Sequence, residues 1–403
     1  MRSRLVLRRV TATLVVGLVA AIPLAAQSAE RTESPVPVTG QVFEDQNRNG
    51  VRDAGEPTMA GVAISDQVQV VRTDAQGRFA FEAAGYGFVS VTQPAGFAVR
   101  GPFWRRVAAG EDMAFPLVRV GETTSFAFIH ASDTHISEAS VERTRRLRTL
   151  ADSIKPAFVL ITGDLVRDAL RVGEETAREL YEMFDREIAL FTVPVYTIPG
   201  NHEIFGIERA NSLVSPKHPL YGKRMYRHYL GPDYYSFGWG GVHFVGLNSV
   251  DYNDTEYHGH VDDLQMKWLE RDLATIGGAT PVVTFNHIPF VSTGPVLYGM
   301  DENSVAPTVI RIRGTPQFRH SVYNKDDVLD LIGDRLSIAL GGHFHRHERV
   351  LYETSRGLKR FYQTAAVVGP PVGAGPLGNV SGVTLYRVRD RVVDDGTFIR
   401  LDP

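Results

Sequence analysis

The sequence of 403 residues contains no cysteine. That absence excludes disulfides, thiolate-bound zinc, iron–sulfur clusters, a thiol nucleophile and a lipid anchor on an N-terminal cysteine. Any metal must therefore be held by His, Asp, Glu and Asn, which suit hard or borderline ions. Internal repeats and low-complexity tracts are also lacking, as is any long apolar run beyond the N-terminus. A membrane-spanning helix needs about 20 consecutive apolar residues, so no span is predicted past residue 30. Nor is there an excess of positive charge. The formal net charge is −3, and an acidic chain is a poor general binder of nucleic-acid backbones. With 22% charged and 43% hydrophobic residues, the composition is that of a globular protein long enough for two or three domains.

Arg2, Arg4, Arg8 and Arg9 precede an Ala/Val-rich run over residues 10–21, and residues 23–29 end in small side chains. A basic stretch, a short apolar run and a small-residue end make an export signal, so residues 1–29 are read as a cleaved signal peptide and the protein as periplasmic or secreted. The other reading, an uncleaved anchor, asks for a longer apolar run. Cleavage removes four Arg and no acid, taking the formal charge from −3 to −7, and leaves no transmembrane segment.

Residues 30–38 read as a Pro/Ser/Thr/Glu linker. Over 39–118, short alternating runs at 61–64, 68–71, 78–81 and 87–91 are broken by Gly, Asn and Asp. Asp74-Ala75-Gln76-Gly77 is a hairpin turn between two of them, and the whole predicts a small all-β sandwich. From 120 to 403 strands alternate with helices. Strands are predicted at 126–130, 157–162 and 193–198, with helices at 141–154 and 174–189 between them. Further strands are predicted at 234–237, 242–247, 282–285, 336–340, 360–365 and 382–388, and a helix at 261–274 with Leu264, Trp268 and Leu269 on one face. This alternation indicates an α/β domain with a parallel sheet.

Five short blocks follow predicted strands, in order: Asp133-Thr134-His135, Gly163-Asp164, Gly200-Asn201-His202-Glu203, Asn286-His287 and Gly342-His343-Phe344-His345. Loops at the carboxyl ends of strands converge in open α/β sheets. Their residue types suit divalent ions, and the glycines permit sharp turns and close approach.

The ordered set D-x-H, G-D, G-N-H-[DE], H, G-H-x-H resembles that of the calcineurin-like metallophosphoesterase superfamily. The resemblance spans Asp133 to His345 and implies a two-sheet α/β/β/α sandwich, here preceded by the small β-sandwich domain of an exported type. It implies two metal ions, divalent or trivalent, with Mn, Zn and Fe as candidates. Asp133, His135 and His345 would hold the first ion, Asn201, His287 and His343 the second, and Asp164 would bridge them. The implied activity is hydrolysis of a small phosphodiester or phosphomonoester by in-line attack of a metal-bridging hydroxide. His202 would stand by the leaving group, and Glu203 would orient and charge His202. Where purple acid phosphatases carry a Tyr, three residues after the bridging Asp, this chain has Arg167, which disfavours the ferric tyrosinate subtype. Two other readings compete: a non-catalytic surface or wall-binding module with a vestigial phosphoesterase body, and an exported nuclease, which the acidic charge disfavours.

Between His287 and His343 lie 55 residues, more than one loop needs. Arg311, Arg313, Phe318, Arg319 and Tyr323 within them are candidates for substrate binding by charge pairing or stacking, or else pack the insertion. His258 and His260 are candidates for the pocket rim. In the small domain, Asp45, Asn47, Asn49, Val51 (through its carbonyl), Asp53 and Glu56 fall at positions 1, 3, 5, 7, 9 and 12 of a calcium loop, with Gly50 at position 6. The segment resembles the calcium-loop β-domains of bacterial surface proteins and the β-domain attached to some exported phosphoesterases. An Asn/Gly-rich turn without metal is the other reading.

Overall fold

The computed structural model describes residues 34–108, 110–121, 123–300, 307–312, 314–369 and 380–401. The stretch read as a signal peptide lies outside the described residues. Two four-stranded sheets make the N-terminal sandwich. The first runs Arg78–Ala83, Val36–Glu44, Asp112–Arg119, Phe97–Val99, and the second Val70–Arg72, Ala63–Ser65, Phe88–Val91, Trp104–Arg106. Val38, Val42, Ile64, Phe79, Val89 and Phe115 fill the space between them. The opening strand starts at Val36, inside the stretch read as linker. Pro37 is tolerated there because the parallel partner Asp112–Arg119 pairs only from Thr39 onward, so no donor is missed on that side. The turn at Asp74 is present, with Asp74 Oδ1 accepting from the Gln76 and Arg78 N–H groups at 2.9 and 2.8 Å. It closes no hairpin, because its flanking strands belong to different sheets.

In the C-terminal body one sheet runs Val195–Ile198, Val159–Thr162, Phe126–Ala131, Gly382–Arg389, Val392–Val393, with Thr397–Arg400 also on Gly382–Arg389. The other runs Tyr235–Trp239, Val242–Leu247, Val282–Asn286, Leu336–Gly341, Gly357–Gln363, Glu348–Thr354. Strand alternation explains the layers. Phe128 joins Phe158, Tyr196, Phe237, Phe244 and Phe285 in one aromatic core, where Tyr196 and Phe237 stack at 3.9 Å. The adjacent Ile129 points the other way, into a cluster with Leu147 and Ala151 of helix Val141–Ile154 and Tyr181 and Phe184 of helix Glu174–Ile188. Beside the second sheet, helix Asp263–Leu273 is capped by Asp262, which accepts from Leu264 and Gln265 N–H. Leu264 is only half-buried. Gln265 takes the buried place because its amide pairs with both backbone groups of Asn248. Among the described residues no helix is long and apolar enough to cross a membrane.

A buried polar joint locks the sandwich to the body. Arg227 grips Asp233 through two hydrogen bonds of 3.0 and 2.9 Å. Gln67 of the sandwich and Asn248 donate to the same carboxylate at 3.0 and 2.8 Å, and the Arg227 guanidinium lies 3.6 Å over the Tyr86 ring. Trp268 donates to Ser65 Oγ at 3.0 Å.

Candidate metal centre

The five blocks converge at the strand ends. After Phe126–Ala131 the chain carries Asp133 and His135, after Val159–Thr162 Asp164, after Val195–Ile198 Asn201 and His202, after Val282–Asn286 His287, and after Leu336–Gly341 His343 and His345. Asp133, His135, Asp164, His343 and His345 all have positive φ, between 39° and 75°. For residues with a Cβ this backbone costs about 1–3 kcal/mol each and collects at functional sites. Loop-to-loop hydrogen bonds hold it: Asp133 N–H to Gly163 O at 3.0 Å, His135 N–H to Asp164 O at 2.9 Å and Gly342 N–H to His287 O at 3.0 Å. Two glycines allow the closeness. A Cβ on Gly200 would stand 2.2 Å from Asp164 Oδ1, and one on Gly342 1.9 Å from Ser132 Oγ.

The donor atoms fall into two sets around one carboxylate. Asp164 Oδ2 lies 3.5 Å from His135 Nε2 and 3.3 Å from His287 Nε2. On one side, His135 Nε2 and His345 Nε2 approach to 3.1 Å, with Asp133 Oδ1 3.3 Å from His345 Nε2. On the other, His287 Nε2 meets Asn201 Oδ1 and His343 Nδ1, each at 3.1 Å. The outward ring nitrogens are engaged elsewhere. His287 Nδ1 donates to Thr162 O at 2.8 Å, and His345 Nδ1 to Gly369 O at 3.2 Å. His343 Nε2 lies 2.7 Å from His320 Nδ1. Such outer contacts fix the tautomer and leave the inner lone pairs for a cation. Asp133 Oδ1 is buried with no hydrogen-bond partner, an orphan that a cation between the rings would satisfy. Seven groups with converging lone pairs and no thiol fit borderline divalent ions.

Charge in the centre is divided unevenly. Burial disfavours the His287 imidazolium, but the Asp164 carboxylate at contact overrides it and raises that group to about 9. Burial and the neighbouring His202 hold His135 down at about 4. Burial opposes ionisation of Asp133 and Asp164, yet the surrounding imidazoles keep both below the usual carboxylate range.

Glu203 makes contacts other than those expected. Its carboxylate accepts from Leu165 and Val166 N–H at 2.8 and 2.9 Å and from Gly200 N–H at 2.6 Å. It staples the Asp164 loop to the Asn201 loop, and burial and Asp164 push it up to about 8 against those donors. The His202 ring is held instead by Arg167, whose carbonyl accepts from Nδ1 at 2.7 Å, with Asp168 Oδ1 4.0 Å away.

The candidate substrate residues disperse. Arg319 stacks 4.4 Å over Tyr257, whose ring lies 6.2 Å from that of His343. Arg311 and the contacting pair Phe318 and Tyr323 are exposed, and Arg313 lies outside the described residues. His258 and His260 line a cavity whose walls include none of the seven converging residues, because they occupy the ribbon face opposite Tyr257. His320 received no role from the sequence. Its contact with His343 spans 23 residues, and nothing local announces it. In the small domain, Asp45 accepts from Asn49 and Gly50 N–H at 3.0 and 2.9 Å. Asp53 Oδ2 accepts from the Asn47 and Asn49 amides at 2.6 and 2.7 Å. Glu56 accepts from Gln46 and Asp53 N–H at 2.8 and 3.0 Å, while the Val51 side chain is exposed.

A two-sheet sandwich with two imidazole–carboxylate sets at its strand ends is the architecture of a dinuclear metal hydrolase. The family model for calcineurin-like phosphoesterases matches residues 126–347. The chain belongs to this family, hydrolases of phosphate esters that use a dinuclear metal centre. It is similar to the human serine/threonine-protein phosphatase CPPED1, 23% identical over 262 residues that cover 63% of this chain and 73% of that protein. The Bos taurus counterpart is 24% identical over 197 residues, 47% of this chain and 57% of that protein. Among solved structures, a dimetal phosphatase from Danio rerio aligns with 14% identity and a TM-score of 0.44, covering 69% of this chain and 99% of that one.

Proposed function

We propose that the chain hydrolyses a small phosphate monoester or diester outside the cytoplasm, with Asp133, His135 and His345 around a first divalent ion, Asn201, His287 and His343 around a second, and Asp164 shared. The observation that carries this reading is the position of Asp164 Oδ2, 3.5 Å from a ring nitrogen of one set and 3.3 Å from that of the other. Two such ions supply Lewis acidity toward the phosphoryl oxygens and a nucleophile at neutral pH. Asp164 carries a second duty, because its Oδ1 accepts from His202 N–H at 2.9 Å and so fixes the backbone beneath that ring. His202 donates Nδ1–H to the Arg167 carbonyl, with Asp168 nearby, which fixes the orientation of its ring. Its Nε2 lies 3.9 Å from Asp164 Oδ2 and so faces the shared position, where a proton on that nitrogen would pass to the leaving oxygen, which departs as the alcohol.

The complete donor set, with His202 beside it, supports this reading over a vestigial, wall-binding body. Export rests on residues 1–29, and the loop from Asp45 to Glu56 is assigned a structural calcium ion. Because the similar proteins are named serine/threonine-protein phosphatases, phosphoserine and phosphothreonine peptides belong beside sugar and nucleotide esters in a substrate screen. The test is turnover of p-nitrophenyl phosphate and bis-p-nitrophenyl phosphate with added manganese or zinc. Hydrolysis that a chelator abolishes and metal restores is expected. No turnover of either ester under any metal would end the enzymatic reading.

A further inference from the structure

A second group of ligand-type side chains stands on the ribbon formed by Val250–Asn253 and Glu256–Gly259. Successive strand residues face opposite ways, so Tyr257 faces the dinuclear centre and His258 faces away from it. Asp251 pairs with His258 across the ribbon, and His260 follows two residues on. Each of Asp251, His258 and His260 offers a ligand atom within 4.8 Å of the other two. His260 Nδ1 lies 3.1 Å from Asp251 Oδ2. His258 is 7% exposed, and its Nδ1 is buried with no hydrogen-bond partner. The group opens on a cavity of about 490 Å³. Five aspartates, Asp251, Asp254, Asp262, Asp263 and Asp327, line it against two cationic side chains, Lys223 and Arg227, and Arg227 is engaged by Asp233.

We propose that Asp251, His258 and His260 hold a further divalent cation of the zinc class, separate from the dinuclear pair. Two imidazoles and one carboxylate suit a borderline ion, and the acidic lining favours a cation over an anion. Lys223 does not stand in the way. Its Nζ sits 3.4 Å from Asp251 Oδ1, and Tyr252 N–H reaches the same oxygen at 2.9 Å, so Oδ2 is the oxygen turned to the histidines. Burial holds the His258 imidazole down at about 4, so the ring is neutral near pH 7, as a ligand must be. The ion would fasten the outer face of the ribbon. The inner face sets Tyr257 beside His343, and Gly259 O accepts from Tyr323 N–H of the insertion at 2.8 Å.

The test counts metal on the full chain. Wild type and His260→Ala are loaded with zinc, freed of loosely held metal by gel filtration and analysed by mass spectrometry of the elements. His260 keeps about a quarter of its side chain exposed, and Asp251 is left in place so that Lys223 keeps its partner. Wild type should retain one zinc per chain more than the variant, with unchanged circular dichroism. Equal counts overturn the proposal. Should the variant fail to fold, titration of wild type with cobalt(II) decides. A third equivalent that develops its own visible bands upholds the site, and saturation at two equivalents refutes it. The count is a difference, so it does not depend on whether the chain turns over any ester.

Discussion

Replacing Glu203 separates two roles that its carboxylate can play beside His202. In Glu203→Ala, the N–H groups of Leu165, Val166 and Gly200 lose their acceptor inside the protein. A buried donor left unpaired costs about 1–3 kcal/mol, so three together should cost at least about 3 kcal/mol. Glu203→Gln is a milder change. Its amide oxygen can still take Leu165 and Val166 N–H, while its NH₂ is turned to the Gly200 N–H, so one bond fails, at about 1–3 kcal/mol. Both loops carry metal-centre residues, so zinc affinity should also fall, by about 10–100-fold in the Gln variant. Urea unfolding with and without chelator measures the first effect, and zinc competition with a chromophoric chelator the second. If Glu203 acted by polarising His202, both variants would keep their stability and shift only the pH profile of turnover. An Ala variant within about 1 kcal/mol of wild type, or a Gln variant no better than Ala, would refute the staple.

Four further outcomes are expected. His202→Ala should lower turnover about 10²–10⁴-fold with an unchanged zinc count, whereas Asn201→Ala should lower both turnover and zinc retention. Arg227→Met leaves the Asp233 charge buried without its partner and should cost about 3–5 kcal/mol in urea unfolding, largely recovered in Arg227→Met/Asp233→Leu. Burial would raise the Asp233 carboxyl, but Arg227 and Lys223 hold it below its ordinary value. Its contribution is therefore present above about pH 4 and is lost as pH falls through the lowered value, so the gap between wild type and Arg227→Met should narrow below about pH 4. Calcium should raise the thermal midpoint of the full chain, and Glu56→Gln should abolish that rise; a rise of equal size in the variant would remove the calcium assignment.

The blocks that build the centre were legible because each is a short run directly after a strand, and period-2 and period-3.6 patterns place strands and helices without knowledge of partners. The helix Val141–Ile154 falls where its apolar spacing puts it. Features that depend on distant partners were hidden. Glu203 looked like a companion of His202 because they are neighbours in sequence, yet its carboxylate reaches back 38 residues to Leu165. Asp74 and Gly77 announce a turn, but whether a turn closes a hairpin depends on where the flanking strands pair. The hairpin of Val309–Ile312 and Thr315–Phe318 escaped notice because exposed, weakly alternating strands carry little periodic signal.

The left-handed backbone at Asp133, His135, Asp164, His343 and His345 makes the centre a mould and not a net. Its shape is imposed by the sheets and the bonds between loops, so the arrangement need not be assembled around each incoming ion. A mould of this kind admits guests of similar size and softness alike. An exchange among such guests would leave the fold around the centre in place.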